Sequence, residues 1–259
     1  MTILQIAGLR MRYKAEGDPS RPCLLMSNSL GTDLGMWDAQ AAALSRDFHV
    51  LRYDTRGHGS SGNGGTPVSL ELLGRDALAL IDALGISRVH FCGISMGGLI
   101  GQWLAVHQPQ RIARLVIANT AARIGSAEGW AARAAQVRGD GMKAIADGAA
   151  ARWFTPAFAA GAPATVAHMI GRLREQDAHG YAACCDALAA ADLRHAIGAI
   201  TAPTLVIAGL HDPVTTVADG AWMAGRIAGA RLRTLAASHL SNIEAAPQFS
   251  EALSQFLAD

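Results

Sequence analysis

The chain has 259 residues, of which 51% are hydrophobic and 17% charged, so it can bury a substantial core, and intrinsic disorder is excluded as its main state. Its 22 basic and 21 acidic residues give a formal net charge of +1, which excludes a broad electrostatic surface for nucleic acid or anionic membrane. No apolar run reaches the roughly 18 residues of a membrane span, and Arg10, Arg12 and Lys14 come too early for a signal peptide, so we expect a cytoplasmic protein.

The cysteines give no sign of a cross-linked or metal-binding protein. Cys23 and Cys92 lie in apolar segments, whereas Cys184 and Cys185 are adjacent, and neither a disulfide framework nor a metal site has this spacing. We therefore expect buried, reduced thiols, no metal and no cofactor.

In chain order, the predicted elements begin with a hairpin, residues 3–6 and 10–13, joined through Ala7-Gly8-Leu9. From Pro22 onward, short apolar runs alternate with amphipathic segments, which is typical of a mostly parallel sheet flanked by helices. The predicted strands of this sheet are 23–27, 49–53, 89–92, 115–118, 204–208 and 231–235. The predicted helices are 36–44, 70–84, 95–107, 217–227 and 248–257.

One stretch breaks this alternation. Residues 121–201 show no strand pattern but an alanine-rich sequence with large apolar residues at helical spacing. We interpret them as a helical cap inserted into an α/β core made of residues 1–120 and 202–259. Such a cap would lie over the carboxyl ends of the strands, where open α/β sheets bind ligands.

The strongest local motif is Gly93-Ile94-Ser95-Met96-Gly97, which lies between an apolar run and a helical pattern. This G-x-S-x-G sequence in a strand, turn and helix context is typical of a nucleophile elbow. Small residues on either side of the serine let neighbouring backbone approach closely while the hydroxyl projects from the sheet. Ser95 is therefore the predicted nucleophile.

A serine hydroxyl needs a base and an acid that orients the base. His239 follows the last predicted strand, and Asp212 follows the strand before it, so the order Ser95, Asp212, His239 agrees with a hydrolase triad. An acid could instead follow the strand 115–118, but Asn119 and Thr120 stand there. Four other histidines could take the base role. His58 lies in a predicted tight turn, His90 in a strand and His107 at a helix end, and His211 directly precedes Asp212.

The tetrahedral intermediate requires two N–H donors. We predict the backbone N–H of Met96, which follows the nucleophile, and that of Leu30 in the loop Ser27-Asn28-Ser29-Leu30-Gly31-Thr32. The segment Asp54-Thr55-Arg56-Gly57-His58-Gly59 has neither the lysine nor the spacing of a phosphate-binding loop, so we interpret it as a structural turn.

Together these residues resemble the α/β-hydrolase superfamily over the whole chain. A narrower resemblance, to the 3-oxoadipate enol-lactonases of aromatic catabolism, lies in three segments besides the loop at 27–34: Met36-Trp37-Asp38, Arg152-Trp153-Phe154-Thr155-Pro156 and Ser238-His239-Leu240-Ser241-Asn242-Ile243-Glu244. The resemblance implies the α/β-hydrolase fold and hydrolysis of a small lactone that carries an acetate arm.

An anionic lactone calls for a cation in the pocket. Within the predicted cap, Arg133 and Arg138 are the candidate contacts to the carboxylate, and Trp130 and Trp153 the candidate apolar walls. The alternative is that the arginines are solvated helix faces. Two other functions stay open, a carboxylesterase or other lactonase with the same triad and a slow-turnover ligand receptor on the same fold.

Overall fold

The computed structural model describes residues 2–6, 8–65 and 67–258. In chain order its strands are β1 (Thr2–Ile6), β2 (Leu9–Glu16), β3 (Cys23–Ser27), β4 (His49–Tyr53), β5 (Val89–Ile94), β6 (Ile112–Ala118), β7 (Thr204–Gly209) and β8 (Arg231–Leu235). They form one eight-stranded sheet in the order β1-β2-β4-β3-β5-β6-β7-β8. β1, β2 and β4 pair antiparallel and the remaining neighbours pair parallel, which confirms the predicted mostly parallel sheet.

Helices connect and cover these strands. They are α1 (Asp38–Leu44), α2 (Leu70–Ala83), α3 (Met96–His107), α4 (Ala127–Asp140), α5 (Lys143–Asp147), α6 (Ala149–Trp153), α7 (Pro156–Gly161), α8 (Pro163–Arg174), α9 (Ala178–Ala190), α10 (Val217–Arg226), α11 (Ser241–Glu244) and α12 (Ala246–Ala258). Across the described residues, no helix combines the length and the apolar character needed to cross a bilayer.

The main differences from the predicted elements have local causes. The first predicted helix opens with a turn of 3-10 helix at Leu34–Trp37, where the Asp33 carboxylate accepts a hydrogen bond from the Gly35 N–H. The helix predicted from Ser95 begins at Met96, because Ser95 adopts a φ of 56° that no α-helix allows. Ala7 of the predicted hairpin turn lies outside the described residues.

The sheet brings the candidate residues to one edge. Every residue of β3 and β7 is buried, as continuous apolar runs in a two-sided parallel sheet should be. Because the strands from β4 to β8 are parallel, their carboxyl ends meet at the same edge. Ser95 follows β5 directly, and Asp212 and His239 follow β7 and β8 within a few residues.

Between β6 and β7 the described chain forms the helices α4 to α9, and α4 packs along α9. Two contacts tie this region to the loops after β3 and β4. Arg172 on α8 forms an ion pair with Asp33 at 2.6 Å. Gly57 and Gly180 approach so closely that a Cβ on Gly57 would lie 2.6 Å from the Gly180 Cα, so neither glycine leaves room for a side chain.

Candidate active site

Ser95 lies on a strained turn between β5 and α3. Its φ of 56° and ψ of −115° fall outside the regions that a residue with a Cβ normally adopts. Two hydrogen bonds hold the turn in place, from the Ser95 N–H to the Ala118 carbonyl at 3.0 Å and from the Thr120 hydroxyl to the Ser95 carbonyl at 2.7 Å. The backbone therefore has the geometry of a nucleophile elbow.

The glycines of the motif are required by close backbone approach. A Cβ on Gly93 would lie 2.2 Å from the Gly97 carbonyl oxygen, and one on Gly97 would lie 2.2 Å from the Ser27 carbonyl oxygen. Such contacts cannot be relieved by side-chain movement, because both partners are backbone atoms. The packing around Ser95 therefore requires glycine at both positions of the G-x-S-x-G motif.

Asp212 and His239 form a buried pair. His239 Nδ1 donates to Asp212 Oδ2 at 2.8 Å, and the other carboxylate oxygen accepts hydrogen bonds from the Val214 and Thr215 N–H groups at 2.8 and 3.1 Å. Burial raises the pKa of the Asp212 carboxyl, but the hydrogen bond and charge of His239, together with the Asn119 and Thr215 donors, outweigh it and leave the pKa below its ordinary value. Asp212 is therefore ionised and holds His239 with Nε2 as the free ring nitrogen.

Asn119 is a contributor that the sequence reasoning missed, because the residue was considered only as a possible acid. Its Nδ2 donates to Asp212 Oδ2 at 3.0 Å and to the Ser238 carbonyl at 3.1 Å. The side chain thus joins the carboxylate to the loop that carries His239. Its place just after β6 was the available signal, since side chains at that edge of the sheet point toward the site.

Ser95 and His239 line the same cavity. Among the described residues the Ser95 hydroxyl makes no hydrogen bond to His239, and both side chains have polar atoms free for a substrate. Catalytic hydrogen bonds are commonly long or misaligned until substrate is bound. The sheet therefore brings nucleophile and base to one space, although they lie far apart in the sequence.

The two predicted oxyanion donors are placed differently with respect to this space. Leu30 lines the cavity, and Met96 opens α3 directly after the nucleophile. In the described part of the chain, neither backbone N–H donates to a protein acceptor. The loop that carries Leu30 is fixed by the Asn28 side chain, which donates to the Tyr53 carbonyl at 2.8 Å and accepts from the Trp37 indole at 2.9 Å.

The cavity has a volume of about 310 Å³, and residues of the predicted cap form part of its lining. Both tryptophans predicted as walls, Trp130 and Trp153, line it, and Ile145, Leu173 and Tyr181 add further apolar surface. A space of this size suits a small ring with a short arm, and its walls are mostly apolar, as ligand sites usually are.

One of the two predicted arginines lies elsewhere. Arg133 lines the cavity, with its guanidinium carbon 4.8 Å from the Trp130 ring centroid. Arg138, in contrast, is half-exposed, forms an ion pair with Asp186 and is not among the residues that line the cavity, so the expectation that it contacts substrate is corrected.

The second arginine that lines the cavity is Arg152 rather than the predicted Arg138. It lines the cavity and donates to the Ile145 carbonyl at 2.6 Å. Burial, followed by the positive charge of Arg133, lowers the pKa of the Arg152 guanidinium, so the two cations are close enough to repel each other. Within the described ranges neither arginine has a carboxylate within 4.0 Å, and together they form a cationic wall open to an anion.

Comparisons with known proteins agree with the fold described above. A family model described as the alpha/beta hydrolase fold matches residues 22–148. The chain is 49% identical to 3-oxoadipate enol-lactonase 2 of Acinetobacter baylyi, with 94% of this chain and 91% of that protein covered. It is 42% identical to 3-oxoadipate enol-lactonase 1 of the same organism, with 96% and 94% covered.

A solved structure extends the likeness to three dimensions. The crystal structure of the enol-lactonase from Burkholderia xenovorans superposes with a TM-score of 0.98 at 46% identity and covers 100% of both chains. The similarity therefore includes the helices over the sheet as well as the sheet itself. The chain belongs to the 3-oxoadipate enol-lactonase family of α/β hydrolases.

Proposed function

We propose that this chain hydrolyses 3-oxoadipate enol-lactone to 3-oxoadipate, a step of aromatic-compound catabolism, with Ser95 as nucleophile, His239 as base and Asp212 as the acid that orients the base. The observation that carries the proposal is that Ser95 and His239 line the same cavity as Arg133 and Arg152, two arginines without a carboxylate partner among the described residues. The 49% and 42% identity to enzymes named for this lactone supports the choice of substrate.

In this proposal the acetate arm of the lactone binds to Arg133 and Arg152. A carboxylate between two guanidiniums would form charge-assisted hydrogen bonds and remove the repulsion between the cations. Trp130 and Trp153 would pack against the ring. A neutral ester of similar size would gain the apolar contacts but not the ionic ones.

Acylation starts with the transfer of the Ser95 hydroxyl proton to neutral His239 as Ser95 Oγ attacks the lactone carbonyl. Asp212 keeps the imidazole in the tautomer that accepts at Nε2 and stabilises the imidazolium that forms. The tetrahedral oxyanion accepts hydrogen bonds from the Leu30 and Met96 N–H groups. Collapse of the intermediate breaks the ring C–O bond and expels an enolate, which His239 protonates and which then tautomerises to the ketone.

Deacylation uses the same residues. The 3-oxoadipyl group is now esterified to Ser95, and His239 removes a proton from a water molecule that attacks this ester. The second tetrahedral intermediate collapses and returns the proton to Ser95.

Residues 121–201 are proposed to act as a cap that closes the site over this substrate. The segment supplies Trp130, Arg133, Arg152 and Trp153 to the cavity, whereas Ser95 and His239 lie just after strands β5 and β8. We also propose a cytoplasmic location, in keeping with four buried cysteines that are free thiols.

The test follows the loss of enol-lactone absorbance with the wild-type protein and with Ser95→Ala. We expect turnover by the wild type and a decrease in kcat on the order of 10⁴-fold or more in the variant, whose folding is checked by circular dichroism. Rapid hydrolysis of p-nitrophenyl acetate or homoserine lactones without turnover of the enol-lactone would replace the proposal with a carboxylesterase or another lactonase. Very slow turnover of all three would favour the receptor.

A further inference from the structure

The loop that carries His239 is hydrogen-bonded to the segment that carries Arg152. The residue after the histidine, Leu240, donates its backbone N–H to the Trp153 carbonyl at 3.1 Å. The residue before it, Ser238, has its hydroxyl 3.5 Å from the Arg152 carbonyl oxygen. Each sequence neighbour of His239 thus contacts the backbone of one cavity-lining residue, Leu240 that of Trp153 and Ser238 that of Arg152.

Glu244 reinforces this connection with a charged group. Its Oε2 accepts a hydrogen bond from the Ser238 N–H at 2.9 Å. The same carboxylate accepts from the Thr155 N–H, with oxygen distances of 3.2 and 3.4 Å, and from the Thr155 hydroxyl. One side chain at the end of α11 therefore binds the backbone of the His239 loop and that of Thr155, which lies 89 residues before Glu244 in the sequence.

Glu244 itself is not among the residues that line the cavity, so it has no direct contact to offer the substrate. Hydrogen bonds to an ionised acceptor are stronger than neutral ones, and this carboxylate is only partly exposed. Its effect on the reaction must pass through the segments that it joins.

We propose that Glu244 is a positioning residue that fixes the distance between the carboxylate-binding guanidinium of Arg152 and the imidazole of His239. This inference rests on the proposed function, because the distance matters only if a substrate is held by Arg152 at one end and attacked at the other. A substrate whose carboxylate is held by Arg152 cannot move to follow a displaced His239, whereas a small neutral ester can. The loss caused by a misplaced base should therefore be larger for the anchored substrate.

The experiment compares Glu244→Gln with the wild type on the enol-lactone and on p-nitrophenyl acetate. The amide retains the size of the side chain but replaces one acceptor oxygen with a donor and removes the charge. We expect kcat for the enol-lactone to fall about tenfold with little change in KM, and the rate on p-nitrophenyl acetate to fall by a clearly smaller factor. Equal losses on both substrates, or no loss, would overturn the proposal.

A double-mutant cycle with Arg152→Ala separates positioning from general stabilisation. If Glu244 acts through the segment that carries Arg152, the double variant should be scarcely worse on the enol-lactone than Arg152→Ala alone. Effects that multiply would contradict the inference. Thr155→Val keeps the N–H but removes the hydroxyl, which donates to Glu244 and also accepts from the Phe158 N–H at the start of α7. It should show the same substrate preference in weaker form, and it remains usable if Glu244→Gln folds poorly.

Glu71→Gln is the matched control, since Glu71 lies on the exposed face of α2 and, within the described part of the chain, forms its ion pair with Arg75 one turn away and with no other residue. It should leave both rates unchanged. If the wild type itself fails to open the enol-lactone, the proposed function is lost. If the wild type is active and Glu244→Gln shows no substrate difference, only the present inference fails.

Discussion

Asn119 Nδ2 donates at 3.0 Å to Asp212 Oδ2, the same oxygen that accepts the hydrogen bond from His239 Nδ1 at 2.8 Å. Asn119 holds this geometry with a φ of 43°, a left-handed conformation that asparagine tolerates better than most residues. The end of β6 therefore supplies a neutral donor where a second carboxylate would repel Asp212. The buried acid is thus stabilised in its ionised form.

Replacement of Asn119 by alanine removes this donor without adding charge. We expect kcat on the enol-lactone to fall about tenfold, because Asp212 loses one partner and the His239 loop loses its link through the Ser238 carbonyl. Asn119→Asp should lower kcat further near neutral pH, because a carboxylate at position 119 would repel the nearby Asp212 carboxylate. Steady-state kinetics of both variants check this, and an Asn119→Asp enzyme as active as the wild type would contradict it.

Removal of either arginine of the cationic wall should weaken binding of the anionic substrate. For Arg133→Ala and Arg152→Ala we expect kcat/KM on the enol-lactone to fall about 10- to 100-fold, mainly through KM, since each loses charge-assisted hydrogen bonds. Rates on neutral p-nitrophenyl acetate should change far less. Arg174→Ala, which removes an exposed arginine paired with Asp147, is the control. Equal losses on the charged and neutral substrates would argue against an ionic role.

An enolate leaves more easily than an ordinary alkoxide, so we expect deacylation to limit turnover. Ring opening occurs during acylation, and the enol-lactone absorbance should therefore fall in a rapid first phase equal in amount to the enzyme, followed by a slower steady rate. Stopped-flow mixing measures both phases. A single linear decay from the first milliseconds would show that acylation is the slow step.

One buried histidine, His58, and one half-buried histidine, His90, should make the protein less stable in mild acid. Burial lowers the pKa of the His58 and His90 imidazoles, and the charges of Arg114 and Arg88 lower that of His90 further. As the pH falls through about 6.5, the two imidazoles therefore bind protons in the unfolded chain before they do so in the folded protein. Their contribution to the free energy of unfolding is complete above that pH and decreases below it.

Urea unfolding at about pH 7.5 and about pH 5.5 measures this dependence. His90→Gln should show a smaller decrease in the unfolding midpoint than the wild type, whereas His168→Gln, on the exposed face of α8, should behave like the wild type. Identical pH dependence in all three proteins would refute the assignment of this effect to His90.

Two glycine-to-alanine substitutions should have opposite effects on stability. Gly97→Ala would place a Cβ 2.2 Å from the Ser27 carbonyl oxygen, so it should cost at least about 1–3 kcal/mol of unfolding free energy and abolish most activity. Gly139→Ala, near the end of α4 with nothing within 4 Å of the added carbon, should stabilise by about 0.5–1 kcal/mol. Thermal unfolding distinguishes the two, and a tolerated Gly97→Ala would disprove the steric reading of the elbow.

The local patterns of the sequence were sufficient to predict the mostly parallel sheet and the strained turn at Ser95. Continuous apolar runs predicted β3 and β7, because a parallel strand covered on both faces has no polar side. The G-x-S-x-G motif located Ser95 because backbone crowding around the turn excludes larger residues. In each case the cause lies within a few neighbouring residues.

Contacts between distant segments were decided only by the tertiary structure. Arg133 and Arg138 lie on the same helix, yet five residues at about 100° each put them some 140° apart around its axis, so only Arg133 reaches the cavity. Asp186, which binds Arg138, comes from a different helix. Likewise, Asn119 and Glu244 acquire their partners from segments that become neighbours only when the strands assemble, and no periodicity along the chain records such pairings.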